Sequence, residues 1–324
     1  MKVSIVTPNY NGNKFLEVYF KSISPHKEYI EEIVIVDNGS SDESIDYINK
    51  IIEDYPIEIN LIENKTNNGF AEGVNQGIRA SKSELVFLLN NDVELEKDTI
   101  KNLIECINLD NKTFSVTSKM VQYNNRNLID DAGDSYTLLA YTKKIGNNQN
   151  VNNFNLYREV FSSCGGAALY KKSIIEEIGY FDSEFFAYME DVDIAYRAQI
   201  YGYKNYYCPN AIVYHIGSGS SGSQYNEFKI PLAARNNVWM IYKNFPIPQK
   251  ILNFPFIFLG FLIKYLFFKK KGFGSLYLKG VKEGLNTRGK IQKTKYKLKH
   301  SKNYFKIEWK LIKNTFRLIK NKWN

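Results

Sequence analysis

The residues Phe87-Leu88-Leu89-Asn90-Asn91-Asp92-Val93-Glu94 join an apolar run to two amides and a carboxylate. The run from 85 to 89 is typical of a strand buried on both faces, and such strands belong to parallel sheets covered by helices. Asp92 then follows the carboxyl end of its strand, where open α/β sheets bind ligands. Mg²⁺ and Mn²⁺ prefer oxygen ligands such as carboxylates and phosphates, so Asp92 is the first candidate metal ligand. A turn that only caps the next helix is the alternative.

The segments before this stretch alternate between strand and helix patterns. Each strand pattern ends in a polar turn, at 9–12 and at 37–41, before a helix pattern begins. Strands alternating with helices at this interval predict a parallel sheet wound in the right-handed sense. The predicted strands are 3–8, 33–36, 57–62 and 85–89, and the predicted helices are 14–24, 41–53, 70–80 and 97–108.

Composition narrows the class of protein. The chain has 324 residues, of which 44% are apolar and 15% aromatic, so it buries a sizeable core and is not disordered. Cys106, Cys164 and Cys208 fit no disulfide framework and no Cys-x-x-Cys metal pattern, which favours a reducing cytosol. Residues 1–6 enter a strand pattern at once, so we expect no secretory signal.

Two further clusters of chemically suggestive residues lie beyond residue 160. Gly165 and Gly166 open a strand pattern, where glycine lets another group approach the backbone, although a bulge is the alternative. Residues 185–193 read Phe-Phe-Ala-Tyr-Met-Glu-Asp-Val-Asp and predict a helix from 185 to about 201. The helix dipole favours acidic residues at a helix start, and this alone explains one or two of the three acids. The aromatic residues before them, however, would desolvate a carboxylate and raise its pKa. Such a carboxylate is suited to accept a proton.

One histidine is placed at a strand end. The residues 206–207 and 211–214 have strand patterns, and His215 follows the second, before a glycine-rich loop at 217–222. A lone histidine is more often structural than a ligand, but this position favours a site.

Taken together, these motifs resemble the family 2 glycosyltransferases with the GT-A fold, and among them the bacterial rhamnosyltransferase-like branch. The resemblance covers roughly residues 1–245. The fold it implies is a Rossmann-like, mostly parallel sheet with flanking helices. The matching motifs are residues 3–11, Val36 to Asp42, Asn67 to Ala71, Leu89 to Asp92, Gly165 to Ala167 and Glu190 to Asp193.

The resemblance implies roles for individual residues. Asp92 corresponds to the last residue of the Asp-x-Asp motif, which binds the donor diphosphate through Mg²⁺ or Mn²⁺, although Asn90 replaces the first aspartate. His215 completes the metal or diphosphate site, and Asp191 is the catalytic base. The acceptor-binding residues implied are Glu190, Asp193, Gly165 and Gly166, and the nucleotide-binding residues are Thr7, Pro8, Asn9, Asp37, Asn38, Asn68, Gly69, Asn90 and Asn91.

Chemistry gives the same two roles without the family. Displacing a nucleoside diphosphate from a sugar builds negative charge on the leaving oxygen, which a divalent ion stabilises. The acceptor hydroxyl must lose a proton to a carboxylate on the opposite face. The resemblance implies that the transfer is inverting and that the donor is a nucleoside-diphosphate sugar, dTDP-rhamnose or a UDP-sugar, with a saccharide or lipid-linked acceptor of the cell surface. The alternatives are a sugar nucleotidyltransferase and a non-catalytic, membrane-associated saccharide-binding scaffold.

The C-terminal region differs sharply from the rest. Residues 264–324 hold 19 Lys and Arg against two Glu, while residues 1–263 hold 24 against 32 Asp and Glu. Residues 251–268 are apolar but interrupted, which favours a segment lying in a membrane interface over a span. A basic amphipathic helix at 305–320 also indicates membrane-surface binding, with a helix packed on the catalytic domain as the alternative.

This division sets the expected organisation of the chain. We expect a catalytic domain at 1–245, with a nucleotide-binding half at 1–120 and an acceptor half at 121–245, followed by a helical, membrane-associating tail at 246–324. The asymmetry of charge indicates a polyanionic partner, and lipid is favoured over nucleic acid because no nucleic-acid-binding module surrounds the lysines. The expected location is cytoplasmic, peripheral at the inner face of the cell membrane.

Overall fold

The computed structural model describes residues 1–217 and 225–320, so most of the loop predicted at 217–222 lies outside the described residues. The strands are β1 (Val3–Asn9), β2 (Ile30–Asp37), β3 (Ile59–Glu63), β4 (Leu85–Leu89), β5 (Val93–Leu95), β6 (Thr113–Gln122), β7 (Asn125–Asp131), β8 (Asp134–Tyr136), β9 (Thr142–Lys144), β10 (Arg158–Val160), β11 (Ala167–Lys171) and β12 (Lys204–His215). The α-helices are α1 (Asn13–Ile23), α2 (Ser44–Ile52), α3 (Gly69–Ala80), α4 (Thr99–Ile107), α5 (Lys172–Ile178), α6 (Glu190–Tyr201), α7 (Lys229–Asn244), α8 (Ile247–Lys270), α9 (Gly274–Thr287) and α10 (Ser301–Lys320).

One large sheet runs in the order β10-β12-β6-β11-β4-β1-β2-β3. Its half from β4 to β3 is parallel, as predicted. Beyond β4 the sheet is mixed, because β11 is antiparallel to both β4 and β6, while β12 is parallel to β6. The chain leaves the carboxyl edge of the sheet at Gln122 and re-enters at the same edge at Ala167, which forces β11 to run backwards. In the segment between them, β7 pairs with the end of β6 and β10 pairs with the first half of β12.

Apolar layers cover both faces of the sheet. Alternate strand residues point to opposite faces, so Ile5 packs in one layer and Val6 in the other. Helices α1 and α4 contribute to the first layer, and helices α3, α5 and α6 to the second. The strand at 85–89 is fully buried on both faces, which confirms its central place.

Several elements differ from the sequence prediction. Helix α6 begins at Glu190 and not at Phe185, because Phe186, Tyr188 and Met189 have positive φ angles. The patterns at 206–207 and 211–214 belong to one strand, β12, whose register shifts between Cys208 and Ile212. Residues 93–95 form a strand, β5, paired with β12.

Helices α7 to α10 pack on the side of the sheet domain. Helix α10 buries Tyr304, Ile307 and Leu311 in an apolar cluster that includes Tyr196 of α6 and Trp239 of α7. The packed-helix alternative for α10 is thus correct for its inner face, while its outer face stays exposed. The division of the chain at residue 245 stays a prediction.

The cysteines differ from the prediction that they fit no disulfide framework. Cys106 of α4 and Cys208 of β12 form a disulfide, with Cα atoms 6.2 Å apart, and Cys164 is free. Their separation of 102 residues gives no local spacing signal, because only the packing of α4 on β12 brings them together.

Candidate active site

A cavity of about 1790 Å³ opens at the carboxyl edge of the sheet. It lies where β1, β4, β11 and β12 end or begin, so the strand order itself gathers its walls. The cavity contains residues from both predicted halves of the site, and Asp92 and Asp191 therefore face one space. The predicted residues that line it are Pro8, Asn9, Asn38, Asn90, Asn91, Asp92, Gly165, Gly166, Glu190, Asp191 and His215.

A hydrogen-bond network joins the ends of β1, β2 and β4. Asn9 accepts a hydrogen bond from Asn91 at 2.5 Å and donates one to Asp37 at 2.6 Å, so it bridges the neighbouring strands. The Ser40 backbone N–H donates to Asp37 at 2.8 Å. A Cβ at residue 12 would collide with the Asn91 side-chain amide, so only glycine fits at this position. The network holds the Asn9 and Asn91 side chains in fixed positions on the cavity wall.

The start of α3 forms a second part of the wall. Gly69 has a φ of 86°, and a Cβ there would lie 2.6 Å from the Phe186 ring, so glycine is needed for two reasons. Asn38 donates to the Gly69 carbonyl at 3.1 Å, which ties the end of β2 to this turn. Asn68 is exposed beside them. These residues stay predicted nucleotide contacts.

Asp92 and His215 lie side by side at the ends of β4 and β12. His215 Nε2 is 3.5 Å from an Asp92 carboxylate oxygen, and its Nδ1 is 2.8 Å from Asp130. Burial alone would lower the pKa of His215, but its hydrogen bonds with Asp130 and Asp92 raise that pKa to about 9. A cation at this point would displace the imidazolium proton.

The donor set suits a divalent ion held jointly with a phosphate. The other Asp92 oxygen, Oδ1, is buried and has no hydrogen-bond partner among the residues the structure describes. Within residues 1–217 and 225–320 no three His, Cys, Asp or Glu side chains are arranged to hold a metal. Mg²⁺ is usually held by one or two protein ligands together with substrate phosphates. Asp92 and His215 fit this kind of site.

Asp191 and Glu190 begin α6 on the opposite wall. Burial raises the pKa of Asp191, while the backbone N–H groups of Val192 and Gly165 lower it by less. Burial also raises the pKa of Glu190 well above its usual range, and the neighbouring Asp191 charge adds to this effect. Glu190 Oε2 is buried with no hydrogen-bond partner among the described residues. A carboxylate in this state is a stronger proton acceptor than one in water.

A strained turn presents this pair to the cavity. Bulky residues rarely adopt positive φ, yet Phe186, Tyr188 and Met189 all do, with φ of 63°, 70° and 74°. Asn236 of α7 holds the turn by donating to the carbonyls of residues 185, 187 and 188 at 2.8 Å each. Asn236 was not predicted from the sequence, because a lone asparagine in a helix 45 residues downstream gives no signal.

Five charged residues of the 123–166 segment also line the cavity, and none was predicted from the sequence. They are Asp130, Asp131, Asp134, Lys143 and Lys144. Burial raises the pKa of Asp131 to about 6 and that of Asp134 well above its usual range, while the nearby acids hold the pKa of Lys144 high despite burial. The signal available was the richness of this stretch in Asn and Asp, but its strands are too short and irregular to predict which side chains face inwards.

Five predicted site residues are not on the cavity wall: Asn68 and Gly69, described above, and Asp193, Thr7 and Asp37. Asp193 is fully buried on the far side of α6, where it pairs with Arg197 and Lys243, each at 2.9 Å. This burial argues against its predicted acceptor contact, which stays a prediction. Thr7 is also fully buried and hydrogen-bonded to the Tyr19 hydroxyl, and its nucleotide contact stays a prediction. Asp37 is buried beneath Asn9 and stays a prediction.

Comparisons with known proteins agree with this fold. The chain is 27% identical over 207 residues to poly-beta-1,6-N-acetyl-D-glucosamine synthase of Staphylococcus aureus (strain COL), covering 64% of this chain and 48% of that protein. The chain thus spans about half the length of that relative.

Solved structures share the fold. The mannosyltransferase PcManGT from Pyrobaculum calidifontis, in complex with GDP-Man and Mn²⁺, has a TM-score of 0.57 at 14% identity, with 99% of this chain and 88% of that chain covered. S. aureus TarS 1-349, in complex with UDP-GlcNAc, has a TM-score of 0.58 at 15% identity, with 100% and 93% covered. The α/β, GT-A fold predicted from the motifs is confirmed.

The family model for "Glycosyl transferase family 2" matches residues 4–179, more than half of the chain. The match includes the ends of β1, β2 and β4 and the glycines before β11, which are most of the motifs behind the resemblance, while the motif Glu190 to Asp193 lies beyond residue 179. The rhamnosyltransferase-like branch stays a prediction. The chain belongs to glycosyl transferase family 2.

Proposed function

We propose that the chain is an inverting glycosyltransferase that moves a sugar from a nucleoside-diphosphate sugar to a hydroxyl of a saccharide acceptor. The observation that carries the proposal is the position of Asp92 and Asp191 on the walls of one cavity. Asp92 lies beside a histidine, whereas Asp191 is buried next to the backbone N–H groups of Val192 and Gly165, so their environments differ as the two halves of the reaction require. Family membership supports the reaction class.

The donor half of the cavity binds and orients the nucleotide. Asn9, Asn38 and Asn91 line it with their polar groups held by the strand-end network. Asp92 and His215 hold the divalent ion, Mg²⁺ or Mn²⁺, with the diphosphate. When bound, that ion stabilises negative charge on the departing diphosphate as a Lewis acid.

The acceptor half removes the proton from the attacking hydroxyl. Asp191 accepts the proton as the acceptor oxygen bonds to the anomeric carbon and the bond from that carbon to the diphosphate oxygen breaks. A single displacement of this kind inverts the anomeric centre. Glu190 orients the acceptor, and Gly165 and Gly166 form the floor, where Gly166 lies close to the Asn90 amide. Asp131 and Asp134 extend the acceptor wall.

The donor is identified by thermal stabilisation with a panel of nucleotide sugars, since a ligand that binds only the folded state raises the melting temperature. We expect dTDP-rhamnose or a UDP-sugar to raise it when Mn²⁺ is present, with GDP-mannose as the comparison. UDP-GlcNAc is the first UDP-sugar to test because it is bound in the TarS structure. Failure of every nucleotide sugar would favour a non-catalytic scaffold, and release of pyrophosphate from a nucleoside triphosphate and a sugar phosphate would favour a nucleotidyltransferase.

Replacing Asp92 with Ala is expected to weaken donor binding about 10-fold to 100-fold, and to remove most of its dependence on metal, because the buried carboxylate that faces the diphosphate is lost. Calorimetric titration with the nucleotide diphosphate, with and without Mn²⁺ and Mg²⁺, measures both effects. Asp98→Ala, an exposed aspartate six residues away, serves as the control. Equal metal dependence in Asp92→Ala and the parent would contradict the assignment.

The setting proposed is cell-surface glycan synthesis at the cytoplasmic face of the membrane. Relatives named for poly-beta-1,6-N-acetyl-D-glucosamine synthesis and for glycan biosynthesis support the first part. The basic C-terminal region supports the second, since about 1 kcal/mol of attraction to anionic lipid is typical for each lysine near the surface. A lipid-linked saccharide is the acceptor class proposed.

A further inference from the structure

Helix α8 buries its polar side and exposes its apolar side, which is the reverse of the usual arrangement for a helix on a protein surface. Its buried residues are Gln249, Asn253 and Gly260, which are polar or small, whereas the side chains that it exposes are large and apolar. A helix packed on a protein in water buries its apolar side. The exposed apolar residues of α8 are Ile247, Ile251, Leu252, Phe254, Phe256, Phe258, Leu259, Leu262, Ile263, Leu266 and Phe267.

The first half of α8 is held to the protein by specific polar contacts. Gln249 accepts a hydrogen bond from the Tyr196 hydroxyl at 2.8 Å, and it donates one to Glu308 at 2.7 Å. Asn253 donates to the same Glu308 carboxylate at 2.9 Å. These contacts join α8 to α6 and to α10.

The second half of α8 is held just as closely. Gly260 packs directly on the Leu139 carbonyl, with no room for a Cβ. Lys264 donates to the Ala140 carbonyl at 3.2 Å, and Phe268 stacks on Tyr277 of α9 with ring centroids 5.3 Å apart. The helix therefore lies along the protein from one end to the other.

This packing argues against a helix that crosses a membrane. Helix α8 is long and apolar enough to span, at about 36 Å for a rise of 1.5 Å per residue. A spanning α8 would carry its packing partners, including the polar β8–β9 hairpin and α10, into the hydrocarbon. Backbone and charged groups there would lose their water without gaining partners.

Helix α10 extends the same surface. Its Glu308 faces α8, and the adjacent side of α10 exposes Phe305, Trp309 and Phe316. Lysines 302, 306, 313 and 320 lie between and beyond these aromatic residues. Lys269, Lys270 and Lys271 close the far end of α8. The apolar surface is thus bordered by positive charge, which complements anionic headgroups and not a second copy of the same basic surface.

We propose that α8 lies lengthwise within one leaflet of an anionic bilayer, with the aromatic side of α10 at headgroup depth beside it. The occupant of the exposed apolar surface is lipid. Docking by α8 is independent of the reaction proposed above.

This docking also orients the active site. Gly260 and Ile263 of α8 are part of the cavity wall, and Ile263 is at the same time 45% exposed on the apolar surface. The cavity therefore reaches the surface beside α8. If the proposed function holds, the acceptor is a saccharide whose lipid stays in the leaflet that holds α8, while its sugar enters beneath the β8–β9 hairpin to reach Asp191.

Vesicle binding tests the docking surface. The full chain is sedimented with sucrose-loaded vesicles of phosphatidylcholine, alone or with one quarter phosphatidylglycerol. We expect the double variant Phe254→Asp with Phe258→Asp to bind the anionic vesicles at least 10-fold more weakly than the parent chain. The control Leu109→Asp with Leu156→Asp makes the same change at two exposed leucines of the sheet domain, and its binding should equal that of the parent. Equal losses in both variants, or no binding of the parent to either vesicle, would overturn the proposal and leave a protein partner as the occupant.

A depth measurement distinguishes lying in the leaflet from crossing it. Leu252, Leu259 and Leu266 are exposed and recur every seven residues, so they lie on one side of α8. Each is replaced singly with Trp, and quenching by lipids brominated at shallow and deep positions is read against the parent chain. We expect the same depth for all three. A deep Leu259→Trp between two shallow positions would mean that α8 crosses the bilayer and would overturn the proposal.

Neither measurement uses transfer activity, so the docking and the proposed function fail separately. A circular dichroism spectrum and a melting temperature equal to those of the parent show that the Phe254→Asp, Phe258→Asp variant is folded.

Discussion

Replacing Asp191 with Asn is expected to lower the rate of sugar transfer by a factor of about 10² to 10⁴, the usual contribution of a general base. The amide keeps the size of the carboxylate and its place at the start of α6, but it does not accept the acceptor's proton. Binding of the nucleotide should change little, because the proposed nucleotide contacts are with other residues of the cavity wall. Transfer is measured by release of the nucleoside diphosphate in the presence of acceptor, and binding by calorimetry.

The pH dependence of the same reaction gives a second readout of Asp191. Its raised pKa means that the carboxylate becomes protonated, and so inactive as a base, at a higher pH than an ordinary aspartate. The parent's rate should therefore fall as the pH is lowered through that raised pKa, while the small residual rate of Asp191→Asn should lack this step. Asp54→Asn, at an exposed aspartate of the sheet domain, is the matched control. Unchanged turnover in Asp191→Asn would end the assignment of the base.

Replacing Asp193 with Asn is expected to reduce the free energy of unfolding by about 3 to 5 kcal/mol, as is typical when one partner of a buried ion pair is removed. Burial alone would raise the pKa of Asp193, but Arg197 and Lys243 outweigh it and hold the pKa below its usual range. The variant leaves both cations buried beside a neutral amide. Urea unfolding followed by circular dichroism measures the loss.

The lowered pKa of Asp193 determines how its contribution to stability changes with pH. The carboxylate of Asp193 stabilises the fold at pH values above the aspartate pKa of the unfolded chain, and this stabilisation disappears as the pH falls through the lower pKa of the folded state. Asp182→Asn is the control, because Asp182 also pairs with Lys243, at 2.7 Å, but is partly exposed and leaves Asp193 in place. If Asp193→Asn had normal stability and a raised KM for the acceptor, that result would support the acceptor contact predicted from the sequence.

The donor side of the site was predictable because it follows directly from the strands. Each parallel strand is an apolar run that ends in a polar turn, and the carboxyl ends of such strands meet at one edge. Asn9, Asn38, Asn91 and Asp92 could therefore be expected together before any contact was known. Their shared cavity follows from strand order alone.

The acceptor side was predictable only in part, because long-range packing decides it. Asp191 and Asp193 are two residues apart in one helix, yet the helix turn directs the first to the cavity and the second to a buried ion pair with Lys243 of α7. Neither spacing nor residue type distinguishes them. The same limit applies to Asp130 of β7. It becomes the partner of His215 only because β7 and β12 both pair with the end of β6.

The turn at residues 185–189 also sets the shortest chain that is worth expressing. A fragment that ends after β12 retains the strand ends of the proposed nucleotide site, but it lacks Asn236 and the three hydrogen bonds that secure the left-handed backbone before Asp191. We expect the bulky residues of the turn to relax to ordinary angles without them, and the carboxylate to move. Such a fragment would also expose the apolar side of α6 that packs on α7 and α10, so studies of this site require a chain that includes those helices.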